Sequence, residues 1–328
     1  GDANYVARYF QEFAADPFRP VLWTVVIFLI CHFVIIHGVR GGIEKASKVM
    51  MPLLFILLLI IVVASCLLPD AGKGVEFLFK PDFGKVDRNV FLNALGQSFY
   101  SMSIGMGCIC TYASYFSRQT NLFKSALQIS VIDLLVAVLA GLMIFPAAFS
   151  VGISPDSGPS LIFITLPNVF NKAFAALPVL GWIISLLFYV LLSVAALTSL
   201  MSLHEVNTSF FYEELKIDRK KGAWIVTISC AVIGAFCSFS LGATDKLSWF
   251  GKTLFDWFDF ITGQVFLPMA GLLTCLFLGW YVPKKILKDE FTNWGTLKGR
   301  LFGIYFFLIK FVCPILILLV FLNQFEVL

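Results

Sequence analysis

The chain has 328 residues, of which 59% are hydrophobic and only 13% charged, with a formal net charge of +4. Soluble domains carry about 25% charged residues, so this composition excludes an ordinary soluble globule. No long basic tract suited to nucleic acid is present. Apolar runs of roughly 20 residues, enough to cross hydrocarbon, recur along the whole length, and the chain reads as an all-α polytopic membrane protein.

Eight spans are predicted in chain order. The first covers residues 21–39 and contains His32 and His37, which nothing pairs into a metal site. The second covers 49–68. Ahead of and within it, Gly42 and Pro52 bracket the helix start and should make it easy to unwind. The third covers 91–116, with no charge between Arg88 and Arg118. Its centre, from Gly96 to Gly107, holds three serines and three glycines, the wrong chemistry for a continuous helix. Unwound backbone at membrane depth is tolerated only where it is buried in protein or lines a cavity, where it offers carbonyls to cations and helix N-termini to anions. This segment is therefore read as half of a site for a small solute and an ion.

The fourth span covers 126–149 and carries Asp133. Acids inside membranes face the interior or a cavity, in ion pathways or in buried hydrogen-bond networks. A long loop, residues 152–176, follows. Its stretch Leu161 to Pro167 is too short to span and too apolar for open water, which suits either an outer lid or a membrane-surface segment. The fifth span, 177–203, places Ala195, Thr198, Ser199 and Ser202 on one helical face. Such a stripe serves close helix packing or offers oxygens to sodium. Beyond it, Glu205 calls for an inward partner, and Glu213 with Glu214 opens a lysine-rich loop.

Spans six, seven and eight cover 223–241, 258–282 and 301–322. Asp256 and Asp259 stand at the mouth of the seventh and suit either a gate or a helix cap. In the eighth, Lys310 lies four residues before Pro314, so the carbonyl of residue 310 lacks its helical donor. The eight cysteines lie in apolar spans and give no zinc or disulfide framework. No catalytic signature is present, so the protein is not read as an enzyme.

Loops after spans one, three, five and seven hold 14 Lys and Arg; the N-terminal segment and the alternate loops hold 9. The first set is therefore cytoplasmic, and both ends face outward. The sequence starts without Met and shows no signal peptide, so an odd number of helices is expected upstream.

These residues resemble the neurotransmitter:sodium symporter family. The resemblance rests on the run Gly42 to Lys48 with Met51-Pro52, on Lys80 to Phe83, on Gly96 to Gly107 with Thr111 to Tyr115, on Phe163 to Pro167, and on Ala195 to Ser199. It implies the 5+5 inverted-repeat fold, with helices 4–11 present and helices 1–3 missing. The whole chain would be one transporter domain. Residues 21–68 would be the tail of the first repeat, 91–282 the second repeat and 301–322 helix 11.

The resemblance also implies site residues. Ser101 and Asp133 match the first sodium site; Ala195, Thr198 and Ser199 match the second. Tyr100, Ser101, Ser103, Met106, Ser199 and Leu203 match the amino-acid pocket. Gln97, Ser101 and Ala137 stand at chloride-site positions. Ala137 replaces the serine of chloride-binding members, so Asp133 would supply the negative charge and transport would be chloride-independent. Asp259 matches the outer gate acid, Glu213 the inner gate acid and Tyr115 the inner-gate tyrosine, while Gly42 and Pro52 bound the unwinding release path.

The implied function is sodium-coupled amino-acid symport across the cytoplasmic membrane, for a hydrophobic or aromatic substrate. Na+ is the co-transported ion, with no organic cofactor and no nucleic-acid partner. The 328 residues alone are expected to be inactive. A non-transporting sensor on the same fold and a proton-coupled permease are the alternatives.

Overall fold

The structure, a computed structural model, describes residues 3–117, 119–150, 163, 166, 169–170, 174–175, 177–243, 247–249 and 251–324. In chain order its helices are α1 (Ala3–Ala15), α2 (Arg19–Ile36), α3 (Glu44–Cys66), α4 (Ala71–Phe79), α5 (Arg88–Ser101), α6 (Cys108–Ser114) and α7 (Leu122–Ser150). There follow α8 (Pro178–Glu213), α9 (Arg219–Ser238), α10 (Leu254–Asp259), α11 (Leu267–Leu276), α12 (Lys284–Phe291), α13 (Phe302–Phe307) and α14 (Cys313–Gln324). A two-residue hairpin pairs Ser248 with Thr253 and Trp249 with Lys252.

Local chemistry explains several helix starts. The Asp16 carboxylate accepts from the amides of Phe18 (2.8 Å) and Arg19 (3.0 Å) ahead of α2, and these bonds hold its carboxyl below the usual range. Asp87 accepts from the Val90 amide at 2.8 Å, a side-chain N-cap for α5. Proline opens α2 and α8, where its missing N–H costs nothing.

Among the described residues seven helical stretches are long and apolar enough to cross a membrane: Arg19–Ile36, Val39–Cys66, Leu122–Ser150, Pro178–Glu213, Arg219–Leu241, Leu254–Tyr281 and Phe302–Gln324. They coincide with seven of the eight predicted spans. The remaining one, the third span (residues 91–116), divides into α5 and α6, because Ser103, Gly105 and Gly107 take left-handed backbone angles (φ 52°, 88° and 82°) that no helix accommodates. π-helical turns interrupt several of the others, at Val39–Ile43, Phe260–Phe266, Phe277–Tyr281 and Leu308–Val312.

The chain forms two compact units, Gly1–Pro81 with Leu135–Phe255, and Asp82–Leu134 with Asp256–Leu328. In the first, Leu57, Leu58 and Ile61 of α3 pack with Met143 and Ala147 of α7, with Phe170, and with Ile184, Phe188 and Leu191 of α8. Lipid is as apolar as leucine, so fit rather than water exclusion drives such contacts. Gly74 shows the tolerance: a Cβ there would lie 2.5 Å from the backbone of Phe145 and Pro146. In the second unit Leu92, Leu267, Phe302, Ile317 and Val320 are buried.

The lid segment Leu161 to Pro167 lies outside the described residues except for Phe163 and Leu166. Leu166 is fully buried, and the Phe163 ring stacks on Phe10 at 5.3 Å.

Candidate functional site

In the second unit the site begins where α5 stops. Gly105 is required twice over. Its φ is 88°, and a Cβ would lie 2.5 Å from the Leu267 carbonyl oxygen on α11. The turn is held by the Ile104 amide on the Phe99 carbonyl (3.0 Å) and the Ser103 amide on the Tyr100 carbonyl (3.1 Å). The polypeptide thus unwinds between Met102 and Gly107 while staying packed on a neighbouring helix.

At the end of α5 the Ser101 hydroxyl donates to Asp133 Oδ2 at 2.7 Å. These residues are 32 apart in sequence, and the structure brings them together. Next to them, Ser130 Oγ lies 3.7 Å from Met102 Sδ. Two oxygen-bearing side chains therefore meet at an interrupted helix, the donor chemistry that hard cations take.

Gln97, Tyr100 and Asp259 share a cavity of about 360 Å³ with Asn93, Gln264 and Gln324. Three predicted positions thus line one space, whose other polar walls come from Asn93 of α5, from the π-turn before α11 and from α14. The sequence reading missed Gln264 and Gln324: a lone amide near a span end carries no periodic signal. Among the described residues the buried Gln324 Oε1 atom has no hydrogen-bond partner. Ser103 and Met106 are half-buried within the break.

In the first unit α8 presents the predicted oxygen stripe. The Thr198 hydroxyl donates to the Ala195 carbonyl at 2.8 Å, and Ser202 donates to the Thr198 carbonyl at 3.1 Å. Ser199 and Leu203 are exposed on the same helix. Ala137 lies one turn beyond Asp133 in α7 and is exposed.

Glu213 ends α8, exposed, with its backbone carbonyl accepting from Lys216 Nζ at 2.5 Å. Tyr115 directly follows α6 and is 37% exposed. Gly42 lies in the π-turn leading into α3, where a Cβ would collide with the Val34 carbonyl; Pro52 lies inside α3.

The sodium:neurotransmitter symporter family matches residues 14–328. The chain belongs to this family. It is a family of transporters, not of enzymes. Among relatives of this symporter chain, the uncharacterized sodium-dependent transporter YhdH of Bacillus subtilis (strain 168) is 36% identical over 321 residues, covering 97% of the chain and 70% of that protein. An uncharacterized sodium-dependent transporter of Haemophilus influenzae is 34% identical over 311 residues, covering 94% of the chain and 66% of that protein. The crystal structure of MhsT in complex with L-phenylalanine superposes with a TM-score of 0.84 at 35% identity, covering 97% of this chain and 71% of that one.

The symporter chain also carries a buried polar network that sequence reasoning found only in part. Glu205, fully buried, receives both Arg219 guanidinium nitrogens, at 2.6 and 3.0 Å, and Arg219 also donates to the Ile35 carbonyl. The inward partner expected for Glu205 is this arginine at the start of α9. His32 and His204 meet on one hydroxyl, Thr227 Oγ1, at 3.0 and 2.8 Å.

Proposed function

We propose that this protein performs sodium-coupled symport of an amino acid by alternating access, with a preference for hydrophobic or aromatic side chains and no need for chloride. The observation that carries the reading is the 2.7 Å bond from Ser101 to Asp133 at the broken α5–α6 segment. Sodium, as cargo, takes oxygen ligands, and Ser101 with Asp133 supplies one set. The Ala195 carbonyl with the Thr198 and Ser199 hydroxyls supplies a second. Tyr100, Ser103 and Met106 wall the substrate at the broken segment, which supports an apolar side chain; the binding of L-phenylalanine by MhsT points the same way.

Asp133 provides a fixed negative charge one turn from Ala137, so the sodium site stays neutralised without a chloride ion. Asp259 and Glu213, with Tyr115, act as outer and inner gates, and the π-turn at Gly42 opens toward Pro52 to release the inner sodium. Ligands drive such cycling only by binding the two states with different affinity.

The deciding experiment is uptake of radiolabelled L-phenylalanine and L-leucine by the complete gene product in proteoliposomes. Accumulation is expected to vanish when choline replaces sodium at fixed pH, and to persist when gluconate replaces chloride. Equal accumulation in choline overturns the sodium coupling; loss in gluconate overturns the role given to Asp133.

A further inference from the structure

A second cluster in the unit formed by Asp82–Leu134 and Asp256–Leu328 uses none of these residues. The π-turn Leu308–Val312 faces the π-turn Phe277–Tyr281 at very close range: a Cβ on Gly279 would lie 2.9 Å from Lys310 Cα. The Trp280 indole donates to the Lys310 carbonyl at 3.3 Å, the carbonyl that Pro314 leaves without its usual helical donor. The backbone around Lys310 is therefore clamped, and its side chain is aimed.

The Lys310 ammonium lies 4.5 Å from the Trp280 ring centre, 5.6 Å from Phe306 and 5.7 Å from Phe311. Lys284, which opens α12, places its ammonium 5.0 Å from the same Phe306 ring. Among the described residues neither lysine forms an ion pair. Two unneutralised cations thus converge on one ring.

Their surroundings identify the anion. The loop from Lys284 to Arg300 is the most basic in the chain, with Lys285, Lys288 and Lys298 set against Asp289 and Glu290, which makes it cytoplasmic. Lys310 lies eight residues into the last span, roughly 12 Å along a helix, so its stem runs through the hydrocarbon and its head snorkels to the interface. Trp280, Ile304, Phe307 and Phe311 are 62%, 60%, 56% and 43% exposed. A free phosphate would use only the two charges. A phospholipid uses the apolar strip as well.

We propose that Lys284 and Lys310 together hold the phosphate of an anionic phospholipid of the inner leaflet, whose acyl chain lies along Ile304, Phe307 and Phe311.

Native mass spectrometry of the purified protein, titrated with phosphatidylglycerol or phosphatidylcholine, tests this. Phosphatidylglycerol is expected to be retained preferentially, with retention falling about fivefold for each charge removed by Lys284→Gln and Lys310→Gln. Lys284→Arg with Lys310→Arg keeps it, and Lys298→Gln leaves it unchanged. Phosphatidylglycerol with brominated acyl chains should quench the fluorescence that Trp280→Phe removes, more than brominated phosphatidylcholine does; this arm needs no charge variant to fold. Equal retention of the two lipids, or an unaffected double variant, overturns the proposal. Displacement of the lipid by millimolar inorganic phosphate assigns the site to a free anion and overturns it too.

Discussion

Asp133 and Ser101 illustrate what one side chain contributes at membrane depth. A carboxylate there is costly unless it is paired or hydrogen-bonded. The Ser101 hydroxyl satisfies one lone pair at 2.7 Å, and the proposed sodium takes the others. A hydrogen bond to a charged group contributes about 1.5–3 kcal/mol. Ser101→Ala is therefore expected to weaken sodium binding by about tenfold or more, and Asp133→Ala to remove sodium-stimulated uptake. Sodium titrations of uptake check both, and an unchanged half-saturation in Ser101→Ala removes Ser101 from the site. Gly105 makes the other residue-scale case. Gly105→Ala forces a left-handed angle on alanine and drives its Cβ to 2.5 Å from the Leu267 carbonyl. A strained angle alone costs on the order of 1–3 kcal/mol, so the variant should lose thermal stability and transport together.

Helices α8 and α9 are joined by an ion pair rather than by apolar fit alone. Glu205 is fully buried, whereas the Arg219 side chain keeps 21% exposure. Breaking such a pair by deleting one partner costs about 3–5 kcal/mol, because the remaining charge is stranded. Arg219→Ala should accordingly lower the melting temperature of the purified protein markedly. The double variant Glu205→Leu with Arg219→Met should recover most of the loss, since an apolar pair of similar volume leaves no charge stranded. If the double variant is no more stable than Arg219→Ala, the pair does not carry this helix contact. At the start of α3 the same scale decides mobility. The π-turn Val39–Ile43 follows a geometry less favourable than the α-helix and common at functional sites, which suits the unwinding proposed for Gly42 and Pro52.

For the molecule as a whole, symport is a statement about linked equilibria. If sodium raises amino-acid affinity by some factor, the amino acid must raise sodium affinity by the same factor. Calorimetric titration of L-phenylalanine at several sodium concentrations, and the reverse, should return equal factors. Amino-acid binding that ignores sodium would leave a binding protein on this fold, without coupling.

How far the fold was legible follows from the bilayer. Hydrocarbon thickness and the demand that every backbone N–H and C=O be bonded internally are constraints along one dimension, and hydropathy with Gly, Ser and Pro positions expresses them directly. Seven spans, a break within Gly96 to Gly107, and the loss of the helical donor to the Lys310 carbonyl were all readable from residue order. Which side chains meet was not. Helices apolar on every side carry no periodic stripe to announce their buried face, so the rotation of each about its axis is set only by packing. His32 with Thr227, 195 residues apart, and Trp280 with Lys310, 30 apart, depend on that rotation. So does the bond from Ser101 to Asp133, which residue spacing could not show. Sequence alone determined where the chain crosses and where it must unwind; tertiary structure decided which oxygens, rings and charges converge, because contacts across helices depend on side-chain fit that no single span encodes.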